Sequence, residues 1–368
     1  MKKEKSETRR FLSAIFNLAG LAVLVGLLAL FGPLVKGALS VQKLDEGIYY
    51  MEFKGDDGFE GLVRAGGGRN PQEISAYVVR FLSKGFSRSS AAAPAAEPYG
   101  CAAFTVRDEG DNFMMGRNFD FSDATVLILH SRPRNGYESV ATFDLRQFGF
   151  GDDWKPDSFG RKYVALTTLF FALDGINEKG LAIADLMVGD DSVTHQESGK
   201  PALTTTSALR YVLNRAATVD EAVGLLRSID MHSDIGATHH YAISDANGNS
   251  VVVEYIDGQM VVTDTPVVTN HYLSESVRGV GLAPGDTRYD FLEEEYVDCL
   301  GVMDEYGLRE SMEAVSQAPS GSFGGTQWTV LWNLEERNAT YYFRRNFDTL
   351  YRFVLGRRKA LDSSFHSE

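Results

Sequence analysis

The sequence predicts an α+β fold built mostly from antiparallel sheets. From residue 101 onward, strand-like runs bounded by turn clusters outnumber helical runs. Short hairpin turns join most of those runs, whereas parallel strands need long crossovers. The helical patterns cluster between groups of strands instead of alternating with them, which argues against a doubly wound parallel sheet. The 368 residues are 44% apolar and 23% charged, a globular composition that excludes a disordered, collagenous or coiled-coil chain. Acidic residues outnumber basic ones 50 to 36, for a net charge of −14. That balance excludes a phosphate-backbone binder, so nucleic acid is not an expected partner. Two cysteines, Cys101 and Cys299, are too few for a disulfide framework or a cysteine zinc cluster.

The elements follow in chain order. Residues 1–10 form a basic segment carrying Lys2, Lys3, Lys5, Arg9 and Arg10. Residues 11–35 contain no charge, and a helix of that length spans about 37 Å, enough to cross a bilayer. A single transmembrane anchor over 11–35 is therefore expected, with the bulk of the chain on the extracytoplasmic side. The alternative is a cleaved signal and a secreted product. Residues 36–100 read as a pro-segment and linker, with a short strand at 47–53, a loop at 55–68 and a helix at 74–86. Residues 87–100 are small, polar and proline-interrupted, the composition of an extended linker. A domain boundary is expected at Cys101.

The main domain is expected over 101–360, with 361–368 as a tail. A hairpin opens it, from 102–106 through the turn cluster Asp108-Glu109-Gly110-Asp111-Asn112 into 113–115. Strands at 163–173 and 181–188 flank a turn at 174–180. Helices are expected at 205–216 and 219–229, the second opened by a Thr218/Glu221 capping box. Strands follow at 240–244, 250–255 and 261–269, then a helix at 289–306 and strands at 328–333 and 339–344. Cys299 falls in that last helix as a core residue.

The absence of G-x-S-x-G, H-E-x-x-H and paired Cys-x-x-Cys motifs leaves no support for an α/β-hydrolase elbow or a zinc site. His232, His239 and His240 match no common metal spacing and read as strand residues. The glycines at 279, 281 and 285 lack the flanking strand and helix of a dinucleotide loop. No cofactor or metal is expected. Cys101 remains. It follows Gly100 at the end of a linker and opens a strand. Cutting the Gly100–Cys101 bond would place an α-amine beside the thiol. A free amine titrates at about 7.7–8.0, so it can act as base for its own side chain.

With Arg117 and Asp120 in Met115-Gly116-Arg117-Asn118-Phe119-Asp120-Phe121, Cys101 resembles the signature of the choloylglycine hydrolase and penicillin V acylase family, N-terminal-nucleophile (Ntn) hydrolases of linear amides. Four later segments, Gly175 to Leu181, His240 to Glu254, Val268-Thr269-Asn270 and Thr287-Arg288-Tyr289, resemble family motifs in the right order. The resemblance covers residues 101–355. It implies an αββα sandwich, here preceded by the transmembrane helix, and a Cys101 nucleophile, activated by self-cleavage at Gly100–Cys101, that works through a thioester intermediate. It also implies roles. Asp120 would orient the α-amine, Arg117 would lower the thiol pKa, and Asn270 would donate to the oxyanion. The backbone N–H of Met187 or Val188 would supply the second oxyanion donor, and Arg288 would be a further functional arginine.

The expected activity is hydrolysis of the C–N bond of a small-molecule N-acyl amide. Acyl transfer to an amine by the same cysteine is the alternative, as is an uncleaved, non-catalytic binding domain at the membrane. The stretch between Asn270 and Arg288 is shorter than the family's usual excursion, so an oligomer is open. Phe148, Phe150 and Trp154, with 169–173, read as core or pocket lining, as do Phe323 and Trp328.

Overall fold

The computed structural model describes residues 30–85, 100–149, 153–190, 192–234, 237–356 and 361–362. It opens in helix α1 (residues 30–40), followed by β1 (Gln42–Asp45), β2 (Ile48–Gly55), α2 (Phe59–Arg64) and α3 (Pro71–Leu82). Then come β3 (Gly100–Arg107), β4 (Phe113–Asp120), β5 (Val126–Pro133), β6 (Ser139–Asp144), α4 (Phe159–Val164), β7 (Asp174–Asn177) and β8 (Ala182–Met187). After β9 (Ala202–Thr204), α5 (Thr205–Arg215), α6 (Val219–Arg227) and β10 (Asp230–His232) lie β11 (His239–Ser244), β12 (Ser250–Ile256), β13 (Gln259–Asp264) and β14 (Val267–Val268). Helices α7 (Arg288–Asp298) and α8 (Glu305–Ala314) precede β15 (Thr326–Asn333), β16 (Asn338–Phe343), β17 (Asn346–Val354) and β18 (Leu361–Asp362).

Two large sheets result. One runs β1-β2-β5-β6-β7-β8-β11-β12-β13 and the other β14-β3-β4-β15-β16-β17-β18. Every pairing in both is antiparallel except β2 with β5, in keeping with the hairpin-rich pattern. Helices α5 and α6 cover the outer face of the first sheet, and α7 and α8 that of the second. Polar bridges cross between the inner faces, as where Thr142 meets the Tyr341 hydroxyl at 2.7 Å. The order of layers is helix, sheet, sheet, helix.

This layering sets the direction of Cys101. Side chains alternate along a strand. Cys101 and Ala103 therefore join the core between the sheets, while Ala102, Phe104 and Val106 join a second cluster with Leu292, Leu308 and Met312 of the helices. With both faces covered, β3 reads as an unbroken apolar run rather than an alternating one.

Several expectations are corrected. The loop expected at 55–68 contains α2. The strand expected at 163–173 is helical, α4 continuing into a 3-10 turn over Ala165–Phe170. An apolar run alone does not separate a buried strand from a buried helix. The turn expected at 174–180 is strand β7 as far as Asn177. The helix expected at 289–306 breaks at Leu300 and Gly301, both at positive φ (54° and 69°). Cys299 is therefore a partly exposed helix-end residue, not core, and the next residue, Leu300, is 82% exposed. At α6, the Thr218 hydroxyl accepts from the Glu221 amide at 3.3 Å.

Residues 36–85 do not stand apart from the rest. Strand β2 runs along the whole of β5, Phe59 stacks near Phe170 and Tyr211, and Asn214 donates to Asp57 at 3.1 Å. Of the expected membrane span, residues 11–29 lie outside the described residues. Its last six belong to α1, where Leu34 is buried in the main core. No helix of the described residues is long and apolar enough to cross a membrane.

Candidate active site

The hairpin of β3 and β4 explains the spacing from Cys101 to Arg117 and Asp120. Cys101 lies opposite Phe119, Ala103 opposite Arg117, and Gly100 opposite Asp120. Arg117 thus shares the inner face with the thiol, one diagonal step away, and its Nη2 lies 3.8 Å from Cys101 Sγ. The guanidinium is fully buried. Nη2 donates to the Asp185 carbonyl at 2.8 Å, Nε lies 3.0 Å from Asp174 Oδ2, and the group packs on the rings of Phe119 and Trp328. Asp174 also accepts from Trp328 Nε1 at 2.7 Å. A buried cation of this kind needs such a partner, because removing one leaves an uncompensated charge at a cost of about 3–5 kcal/mol.

Asp120 points the other way, to the end of the strand. Its Oδ2 accepts from Arg288 Nη1 at 2.9 Å and from Gln317 Nε2 at 2.8 Å, and its Oδ1 from the Thr326 hydroxyl at 2.5 Å. Arg288, the first residue of α7, is held by Asp286 through Nε at 2.9 Å and Nη2 at 2.7 Å. From there Nη1 reaches the Cys101 carbonyl at 3.3 Å and Nη2 reaches Asn270 Oδ1 at 3.0 Å. Asn270 Oδ1 also accepts from the Cys101 backbone N–H at 2.6 Å. Cys101, Asp120, Asn270 and Arg288 therefore form one connected cluster, and Arg117 joins it through the thiol.

Gly100 is part of the same fit. A Cβ there would lie 2.3 Å from Gln317 Nε2, 3.0 Å from Asp120 Oδ2 and 3.1 Å from Arg288 Nη1. The two residues expected as backbone oxyanion donors separate. The Val188 N–H is not available, because it donates to the Thr238 carbonyl at 2.9 Å just beyond the paired ends of β8 and β11. Met187 stays at the site, and its carbonyl accepts from Asn270 Nδ2 at 2.7 Å. The Asn270 amide is thus turned to Met187.

Burial dominates the electrostatics. It pushes the Cys101 thiol up to about 11 against the pull of Arg117, which keeps the sulfur protonated at neutral pH. Burial likewise raises Asp120 above the usual carboxylate range, with Arg288 opposing it. On Arg288 itself, burial would lower the pKa, but Asp286 and Asp120 outweigh it and hold the charge.

Two spaces border the Gly100–Cys101 pair, one at each residue. An open cleft of about 550 Å³ is lined by Gly100, Asn270, Pro284, Arg288, Gln317 and Phe323, among others. Cys101 also lines a small pocket of about 20 Å³ with Phe119, Leu173, Asp185, Thr206, Asp234 and His239, among others. Phe148 packs against Phe143 and Phe171, and Trp328 stacks on Phe119. Phe150 lies outside the described residues. Asn177 is structural, donating to the carbonyls of Leu213 and Ala216 at the end of α5. Among the described residues no group of three or more His, Cys, Asp or Glu could hold a metal ion.

Sequence reasoning missed Asp174, Asp286, Gln317 and Thr326. The first two had a local signal, since Asp174 precedes the Gly175 motif and Asp286 sits two residues before Arg288. Gln317 and Thr326 had none, because only the fold brings them to Asp120.

Residues 101–273 match the model of the linear amide C-N hydrolases, choloylglycine hydrolase family. Over those residues the chain is similar to that family. Family members act on linear amides. Over 114 residues the chain is 38% identical to penicillin V acylase from Pectobacterium atrosepticum, a stretch that covers 28% of this chain and 29% of that relative. Two variant structures of conjugated bile acid hydrolase from Clostridium perfringens match with TM-scores of 0.52 and 0.50. Each is 17% identical, over 73% of this chain and 96% of the other. That likeness is one of fold, and it agrees with the two-sheet layering.

Proposed function

We propose that the chain is an amidase that cleaves the C–N bond of small N-acyl amides, with Cys101 as nucleophile after self-cleavage at Gly100–Cys101. One observation carries this reading: the Cys101 nitrogen, Asp120, Asn270 and Arg288 converge within hydrogen-bonding reach at the start of β3, beside an open cleft. Once that nitrogen is an α-amine, it takes the thiol proton, directly or through a water, as Sγ attacks the amide carbonyl. The resulting ammonium, stabilised by Asp120, protonates the leaving amine. Water then hydrolyses the thioester and the thiol is restored. The oxyanion is met by Asn270 Nδ2, once the carboxamide is released from the Met187 carbonyl, and by the Met187 N–H. Arg117 supplies positive charge behind the sulfur.

The uncharged stretch 11–35, whose last six residues lie in α1, supports a membrane anchor with the enzyme on the extracytoplasmic side, a secreted form being the alternative. The relatives' names suggest the probes: penicillin V, a conjugated bile acid and a plain N-acyl amide. The test compares release of free amine by wild type and Cys101→Ala, with the N-terminus of each determined. Activity on at least one probe, confined to protein that begins at Cys101, is expected. Equal activity of the Cys101→Ala variant would overturn the proposal.

A further inference from the structure

The mature mechanism uses an α-amine that does not exist until the Gly100–Cys101 bond is cut. In the uncut chain the Cys101 nitrogen is a peptide amide that donates to Asn270. An amide nitrogen is no base. The first cut therefore needs another group to take the thiol proton, and the small pocket beside Cys101 contains one. His239, on β11, lines it together with Cys101 and Asp185 of β8. Asp185 meets His239 Nδ1 at 2.9 Å through Oδ2 and at 3.0 Å through Oδ1, and the same residue's carbonyl accepts from the Arg117 guanidinium that touches Sγ. A carboxylate on Nδ1 fixes the ring and makes Nε2 the basic atom, the relation that orients the histidine of hydrolytic triads. The cavity, about 20 Å³, has the volume for one water, which needs about 10–15 Å³. A base acting through one water is within the reach general-base catalysis tolerates.

We propose that the Asp185–His239 pair is the base that drives self-cleavage at Gly100–Cys101, an inference that rests on the maturation described above. The thiol proton passes through one water to His239 Nε2 as Sγ attacks the Gly100 carbonyl carbon. The carbon–nitrogen bond breaks, the proton returns from His239 to the Cys101 nitrogen, and an amine and a Gly100 thioester remain. A second water hydrolyses the thioester to the Gly100 carboxylate and regenerates the thiol. From then on the amine serves as base. The charged and titratable groups facing the ring are Asp185, Asp234, Cys101 and, beyond Asp185, Arg117, with Tyr241 beside it on the same strand. Burial alone would lower the pKa of His239, but Asp185 outweighs it and holds the imidazole above its ordinary value. The cleavage rate should therefore rise with pH along a limb lying above the usual histidine range.

The experiment follows freshly synthesised, pulse-labelled full-length chain over time, with cleavage read by the appearance of the two fragments across pH 5–9. Wild type, His239→Ala and Asp185→Asn are compared, with and without added imidazole. His239→Ala is expected to cleave about 10²–10⁴-fold more slowly and to recover as imidazole is added. Asp185→Asn is expected to move the limb to lower pH. A His239→Ala chain that cleaves at the wild-type rate overturns the inference. So does one that is slow but does not respond to imidazole, because that is the behaviour of a purely structural histidine. A wild-type chain that never cleaves overturns the maturation itself, a result distinct from either of these.

Discussion

The backbone nitrogen of Cys101 donates to Asn270 Oδ1 at 2.6 Å, while the same carboxamide donates through Nδ2 to the Met187 carbonyl at 2.7 Å. One side chain thus touches both the nitrogen that the proposed cleavage would turn into the α-amine and the strand expected to frame the oxyanion. Asn270→Leu removes both contacts. In matured protein it should lower kcat by about 10²–10³, the cost of an oxyanion donor, with a smaller effect on KM. Steady-state amide hydrolysis measures both.

Gly100 has no room for a side chain. Gly100→Ala places a Cβ against Gln317, Asp120 and Arg288, so cleavage should slow at least tenfold as the scissile carbonyl is displaced. The nearest obstacle is the Gln317 amide. Adding Gln317→Ala should restore part of the rate. Intact mass over a time course reads both variants.

Stability should fall in acid through Glu254. This buried carboxylate accepts from the amides of Leu273 and Ser274 at 2.7 and 2.8 Å and from the Ser274 hydroxyl, pinning the segment just after Asn270. Burial would raise its pKa, but His240 and the Ser274 and Leu273 donors outweigh burial and bring it to about 2 from an ordinary 4.5. A depressed folded pKa gives stability that is complete above the unfolded value and is lost as pH falls through the folded one. The loss should run from about pH 4.5 toward 2. Urea midpoints from pH 7 to 3 should fall across that window in wild type, and less in Glu254→Gln, which starts lower at pH 7.

The N-terminal fragment should stay attached after cleavage. Strand β2 pairs with β5 over its whole length, Tyr163 donates to the Leu82 carbonyl at 2.8 Å, and Phe59 is fully buried. Size exclusion under native conditions should return both chains in one peak, separable only in denaturant. Phe59→Ala should cost about 3–5 kcal/mol of stability.

Much of the site was legible because it lies on one hairpin. The run from Cys101 to Val106, the turn at 108–112 and the positions of Arg117 and Asp120 follow from strand periodicity and a short loop. Asn270 and Arg288 carried motif signals of their own. The Asp185–His239 pair and Gln317 did not, because strand pairing and sheet-to-helix packing bring them to Cys101 from distant points in the chain. The boundary expected at residue 100 came from linker composition, which carries no information about the parallel pairing of β2 with β5. The helix read through 289–306 failed at Leu300, a residue that enters the left-handed region without a glycine's signature.

The most direct test of the account is the N-terminus of the purified protein. Wild type and Cys101→Ala, expressed as the full 368-residue chain, are compared by intact mass and N-terminal sequencing, with amide hydrolysis measured on the same samples. A wild-type chain that begins at Cys101 and is active is expected, beside an uncut, inactive variant. A full-length wild type that hydrolyses amides would contradict it.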